Sequence, residues 1–348
     1  MNPLVIGGGL AGIALSATLR RHHISHDLIE PNALFSGTRA SSGILNPVMG
    51  QKRQLVTDYE VLMKACIETY SYLEQLLGIS VFRPVKILEG LHGLQAQDLF
   101  RKKSECYPQF LRLDEKGDSL SGILKSGEAV PAGITSQAFQ LDAPKLQAHY
   151  LDLLRREGRF IADFFDPSGV KTEKNFFHYQ GRRYSHLLYC NGKNFLQIPE
   201  SAALPLSVNK GQALVLAMDG NLSRDFIYKL DKKLTICPWG DAYWWAGASF
   251  EWTYETEMPT TDYQMELEKR LRELLQLPFR VVEHLSGFRV SAGDRRAVAG
   301  WLSNDSRIGA LNALGTKGVL QAPRAAEEIA EKLFFPNDVK GLFSFSRF

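Results

Sequence analysis

Cysteine is scarce in this 348-residue chain, and its four cysteines, Cys66, Cys106, Cys190 and Cys237, form no C-x-x-C and no pair at metal-ligand spacing. A disulfide framework and a cysteine-built zinc site are therefore not expected, and free thiols in a reducing cytoplasm are. The eight histidines are scattered, so no metal site is expected either. Of these, His22, His23 and His26 cluster just past a helical stretch, where they are expected to face solvent and complement the helix dipole. An excess of one charge is also lacking: the net charge of +3 is too small to mark a general nucleic-acid or anionic-membrane binder. No apolar run approaches the roughly 20 residues of a membrane-spanning helix. Internal repeats and low-complexity tracts are missing. With a strand read at Leu4, no secretory leader is expected. A soluble, cytoplasmic protein with enough chain for two domains is expected.

The informative segment is the first one. Leu4-Val5-Ile6 reads as a buried strand, Gly7-Gly8-Gly9-Leu10-Ala11-Gly12 fits G-x-G-x-x-G, and an apolar helical stretch runs to about Arg21. A second strand, Asp27-Leu28-Ile29, ends in Glu30 followed by Pro31. Gly7 permits the tight turn, Gly9 lets a pyrophosphate approach the backbone, and Gly12 lets the helix pack on the strand. The helix N-terminus offers free N–H groups to phosphate. Glu30 stands near the spacing of about 20 residues at which a carboxylate accepts from ribose hydroxyls. This is a dinucleotide site, and on its own it does not separate NAD from FAD.

Residues 31–53 form a long Ser/Gly/Pro-rich connection containing Thr38, Arg39 and Ser42-Gly43-Ile44-Leu45-Asn46-Pro47, and such length signals function. Periodicity predicts a helix over 57–77 closed by Gly78, and Asp142 with Pro144 opens another. Strands are expected at 160–165, leading to Phe165-Asp166, and at 187–190, leading to Asn191-Gly192. From Gly211 the pattern becomes antiparallel β. Asp262–Leu275 reads as an amphipathic helix, and a strand with a glycine turn (308–315) precedes a final helix from Gly318. A nucleotide fold thus opens the chain, is interrupted twice, and closes it. The expected class is α/β: a discontinuous Rossmann-like domain (1–50, 140–205 and 285–335), a second α+β substrate domain on an antiparallel sheet (51–139 and 206–284), and a tail (336–348).

In this order the segments resemble the D-amino-acid oxidase superfamily of FAD enzymes, which includes glycine oxidase and sarcosine oxidase. The resemblance rests on Val5–Gly9 with Glu30, on 41–47, on Gln140–Leu146, on Pro205–Gln212, on Gly287-Phe288-Arg289 with Gly293-Asp294, and on Gly315-Thr316-Lys317-Gly318-Val319-Leu320 through Pro323. It implies non-covalent FAD, with the adenine near Phe165 and Asp166 and the flavin edge at the start of the last helix. It also implies oxidation of a C–N bond of an amino acid or related amine by hydride transfer to flavin N5. Candidate catalytic residues are Arg289, Lys317 and Tyr228. Arg289 either clamps a substrate carboxylate or else bridges domains or pairs with Asp294, and Lys317 either adds a cation at the flavin or is a solvated lysine. Tyr228 replaces a tyrosine that the family has where this chain has Thr235. Val290 stands in place of a usual proline, and the aromatic set Trp239, Tyr243, Trp244, Trp245, Phe250 and Trp252 is expected to divide between two sheet faces. Two further readings are a tRNA-modifying oxidase acting on a carboxymethylamino group, with tRNA as partner, and a flavin-binding protein without amine substrate.

Overall fold

The computed structural model describes residues 1–347 except 32–34, 121, 126–129, 221, 232–233, 303–304 and 335–340. Two sheets organise the chain. The first orders its strands Val298–Trp301, Ile308–Asn312, Leu187–Tyr189, Leu4–Ile6, Asp27–Ile29 and Phe160–Ile161, parallel throughout apart from the first, which pairs antiparallel. Strands from the start, the middle and the end of the sequence thus lie side by side, as the divided nucleotide motif requires. Leu4, Val5 and Ile6 are all buried because both faces of the sheet are covered.

The helix Leu10–Arg21 leaves the Leu4–Ile6 strand through Gly7, whose φ of +107° disfavours any side chain. At Gly12 a Cβ would sit 1.8 Å from the Gly7 carbonyl oxygen, so helix and turn touch there. Ile13, Leu15 and Leu19 on this helix are essentially fully buried, each adding about 1.5–3 kcal/mol. His26 departs from expectation. His22 and His23 are exposed, but His26 is buried, 2.6 Å from Ser16 Oγ, with Nδ1 2.8 Å from the Ile24 carbonyl, and Ser16 in turn meets Tyr150 OH at 2.8 Å. Isolated spacing did not reveal that the chain returns beneath the helix after Ile24.

The second sheet has nine strands. Its main path runs Phe279–Ala292, Leu206–Met218, Tyr243–Gly247, Thr235–Trp239, Phe226–Lys229, Phe82–Gly90, Ala132–Leu141 and Ile44–Leu45, with Leu111–Asp114 also on Ala132–Leu141. It is antiparallel but for the Phe226–Lys229/Phe82–Gly90 pair. The helix Thr261–Leu274 covers one face through Leu267 and Leu271. The helix Ala143–Arg156 begins at Asp142, whose carboxylate accepts from Lys145 N.

The helix Tyr59–Leu77, expected with the substrate half, meets the second sheet through Tyr70 on Phe82 and also packs on the final helix, Gly318–Phe334. The reason is chemical. Pro323 lies inside that helix and has no N–H for the Val319 carbonyl one turn earlier. Tyr70 OH donates to that carbonyl at 2.8 Å, and Cys66 Sγ lies 3.3 Å from it. Only the strands at 160–161 are formed of the expected 160–165, because Asp163 and Asp166 turn the chain with their own side chains. The C-terminal segment is anchored where it is described: the fully buried Glu328 carboxylate accepts from Leu342 N and Phe343 N, and Arg347 bonds Ala297 O and Asp294. Residues 336–340 and 348 of the expected tail lie outside the described residues. No helix among the described residues is long and apolar enough to cross a membrane.

Three histidines tie stability to pH. Burial lowers His26, and it takes His186 and His284 from 6.5 to about 4, with the N-terminal amine adding to it at His186 and Lys210 at His284. The folded state therefore holds them neutral while the unfolded chain protonates them near their ordinary value, so stability is complete above about pH 6.5 and falls as pH drops towards about 4. Thermal midpoints measured across that window fall on acidification, and the double variant His186→Gln, His284→Gln flattens the fall. An unchanged slope would exclude these groups.

Candidate active site

One large cleft lies between the two sheets, with a cavity volume of about 680 Å³, inside the roughly 300–1,000 Å³ of small-molecule and cofactor sites. Gly7, Gly9, Leu10 and Ala11 of the opening turn line it, as do Glu30 and Pro31. Glu30 Oε2 accepts from Gly8 N at 2.6 Å, and Leu10 N donates to Thr38 Oγ1 at 2.8 Å, so the loop that carries Thr38 is tied to the helix start. Gly12 does not reach the cleft and is a packing residue.

The loop at 41–47 contributes part of its length. Ser41, Ser42 and Ile44 line the cleft. Gly43 sits where a Cβ would meet the Leu141 carbonyl at 1.8 Å, Leu45 is buried in the core, and Asn46 Oδ1 accepts from Val48 N. From Ser42 to Leu45 the alternation is that of a strand. Arg39 is outside the lining too, its N–H bonded to Ser36 Oγ. Phe165 lines the cleft, whereas Asp166 is exposed and caps its own turn through Ser168. Asn191 and Gly192 line it, and so do Gly315, Thr316, Gly318 and Val319. Leu320 points into the apolar core, and the Lys317 ammonium lies 3.4 Å from the Arg295 carbonyl, away from the cleft wall. Burial, then Arg295 and Arg296, lowers the Lys317 pKa, with Asp294 opposing.

Tyr228 is not in the cleft. It is cross-strand from Ile236 and packs beside Trp244 under the Thr261–Leu274 helix, its hydroxyl donating to Ser223 O. Thr235, one residue away in register, takes the opposite face and lines the cleft. The aromatic set divides in the same way: Trp245 lines the cleft with Nε1 donating to Ala40 O, Trp244 turns to the other face, and Trp252 is exposed.

Arg289 lines the cleft from the edge strand of the second sheet. Nη1 donates to Asn209 Oδ1 at 2.9 Å and to Ser249 O at 3.2 Å, and the Phe250 ring centroid lies 4.4 Å from Cζ. Gly211 makes this possible, since a Cβ there would come within 2.4–2.6 Å of the guanidinium. Asp294 is not its partner: that carboxylate pairs with Arg347. Burial lowers the guanidinium's pKa, opposed by Tyr263 and Glu251; it stays a cation.

Sequence reasoning gave no site role to Gly211, Ala213, Gly247 and Gly287, which line the cleft from the second sheet; a Cβ at Gly211 would meet the Arg289 guanidinium, at Gly247 Ala213, and at Gly287 the loop at 36–40. Glycine inside a strand is a signal for close approach, and it was available. Cys190 also reaches the wall beside the glycine turn; burial pushes its thiol up to about 12.

These residues fit a flavin dinucleotide. Asn191 Oδ1 is buried in the wall without a hydrogen-bond partner, which suits a sugar hydroxyl. Two helices, Leu10–Arg21 and Gly318–Phe334, begin at the cleft, and their first N–H groups have no partner within the helix. One suits a pyrophosphate, the other an aromatic edge that becomes negative on reduction.

A divided nucleotide sheet, an antiparallel sheet and a cleft between them with two helix starts suit an FAD-dependent oxidoreductase. The chain belongs to the DAO family of FAD-dependent oxidoreductases, whose model matches residues 4–332. Glycine oxidase from Geobacillus kaustophilus superposes with a TM-score of 0.81 at 15% identity, covering 99% of this chain and 98% of that one. Iminodiacetate oxidase from Chelativorans sp. BNC1 gives 0.77 at 17%, covering 97% and 96%. Reduced L-alpha-glycerophosphate oxidase from Mycoplasma pneumoniae with FAD bound gives 0.74 at 14%, covering 96% and 94%. At these identities the likeness is one of fold.

Proposed function

We propose that this flavoenzyme oxidises a C–N bond of an amino acid or a related carboxylate-bearing amine at the Arg289 end of the cleft. The observation that carries the reading is a half-buried guanidinium on the cleft wall whose partners among the described residues are an amide, a carbonyl and a ring, none of them a carboxylate. A bidentate guanidinium fork suits a carboxylate. FAD, when bound, supplies the two-electron acceptor. The chain's own residues do the positioning. Arg289 orients the substrate by its carboxylate, Gly211 leaves room for the guanidinium, and the buried Trp245 keeps that wall of the cleft dry. The start of the Gly318–Phe334 helix favours negative charge nearby. This chemistry needs orientation and dryness more than an acid or base, in keeping with Tyr228 and Lys317 lying off the cleft. Glycine oxidase and iminodiacetate oxidase, whose folds this chain shares, act on such substrates by name. Cytoplasmic placement belongs to the same reading and rests on the free thiols of all four cysteines.

The test is product formation by the FAD-loaded protein with glycine, D- and L-amino acids, N-substituted glycines and iminodiacetate. A nucleoside carrying a carboxymethylamino group belongs in the set, since it presents the same carboxylate and C–N bond on a larger body. Release of an oxo acid together with an equal amount of ammonia or amine is expected for at least one member. No product from any of them would contradict the proposal.

A further inference from the structure

The charges around Arg289 are arranged in an unusual way. Its cross-strand neighbour Asn209 is 2% exposed, and Asn209 Oδ1 accepts from Nη1. The amide cannot be turned round, because its NH2 would then face the guanidinium. In this orientation Asn209 Nδ2 is buried with no partner. Stranding a donor is costly. An aspartate of nearly the same shape would make the same contact with no stranded donor and a stronger, charge-assisted bond. The nearby carboxylate, Glu251, is meanwhile held elsewhere. Its Oε1 accepts from Gln212 Nε2 at 2.8 Å and from Ser249 Oγ at 2.5 Å, and Oε2 lies 3.8 Å from Nζ of the fully buried Lys210.

We propose that Asn209 is a positioning residue for Arg289 whose neutrality is its function: it fixes one arm of the guanidinium fork and leaves the positive charge for an anionic group of the substrate. This rests on the reading of Arg289 as the carboxylate site. A carboxylate at position 209 would answer the guanidinium from within the protein, and a ligand carboxylate would compete with it. An alanine would loosen the fork but leave its charge unanswered. The two roles that Asn209 can play therefore rank the variants in opposite orders. A structural role makes N209A the worse change, and the proposed role makes N209D the worse.

FAD-loaded wild type, N209D, N209A and R289M are titrated with acetate and benzoate, and with acetamide and benzamide as neutral controls, following the absorption of the bound flavin. The expected result is carboxylate binding weakened at least about tenfold in N209D, less in N209A, with amide binding unchanged. N209D binding carboxylates like wild type, or better than N209A, overturns the proposal. If N209D does not load FAD, N209E replaces it, its carboxylate reaching the same guanidinium from one methylene further. If wild type shows no preference for carboxylates over amides, or R289M binds them as wild type does, the Arg289 reading itself fails and takes this one with it. Loss in R289M with no loss in N209D refutes the role of Asn209 alone.

Discussion

Replacing Arg289 by Met raises the KM for a carboxylate-bearing substrate by about 10- to 150-fold, because a hydrogen bond to a charged group is worth about 1.5–3 kcal/mol. Met keeps an unbranched apolar stem in the slot between Gly211 and Phe250, so packing survives while the charge goes. The FAD content should stay that of the wild type, since the glycine turn and both helix starts are untouched. Steady-state kinetics with a carboxylate substrate and with its amide separates the two contributions: the amide should barely notice the change. An unchanged KM for the carboxylate would remove Arg289 from the substrate site.

Gly9→Val should weaken FAD binding by at least about a hundredfold and leave the protein folded. Gly9 has φ −75° and ψ −172°, an extended conformation open to any residue. Within 4 Å its Cβ would meet just the Thr38 hydroxyl, at 3.1 Å. The added methyls therefore enter the cleft, where a pyrophosphate has to approach the backbone. Gly12→Val gives the opposite kind of damage. Its Cβ would overlap the Gly7 carbonyl at 1.8 Å, so helix and turn part and folding itself suffers. Flavin content and the thermal midpoint of the flavin-free protein, measured on both variants, distinguish a glycine kept for the ligand from one kept for packing. A Gly9→Val protein that retains full FAD would place the dinucleotide elsewhere.

The nucleotide end of the site was legible because its signals are local. A strand, three glycines, a helix and Glu30 within 30 residues determine one another's positions, and all but Gly12 of the named residues face the cleft. The loop at 41–47 and the turn at 315–320 were read as whole segments, and only part of each lines the cleft: Ser41, Ser42 and Ile44 of the first, and Gly315, Thr316, Gly318 and Val319 of the second. Ser42 and Ile44 face the cleft while Gly43 and Leu45 face inward, and Gly318 and Val319 face it while Leu320 does not. Parity of that kind depends on which strand or helix lies behind the segment, and one sequence does not state it. Tyr228 failed for the same reason. Its register against Ile236, rather than its distance along the chain from Thr235, decides which face it takes. The close approach at Gly211, Gly247 and Gly287 escaped notice because small residues carry no reactive group. Their role is to be absent from a space, and that shows when three strands are laid side by side. His26 shows the converse: a residue with obvious chemistry that the fold spends on a buried hydrogen bond.

The proposed C–N specificity is tested directly by anaerobic reduction of the bound flavin with matched pairs: glycine and glycolate, alanine and lactate, iminodiacetate and diglycolate. Each pair shares its carboxylate and differs in the atom attached to the carbon that is oxidised. Bleaching of the flavin by an amine, with the matching oxygen compound inert, is the predicted result. Bleaching by the oxygen compounds alone would show a C–O oxidoreductase on the same fold and contradict the account.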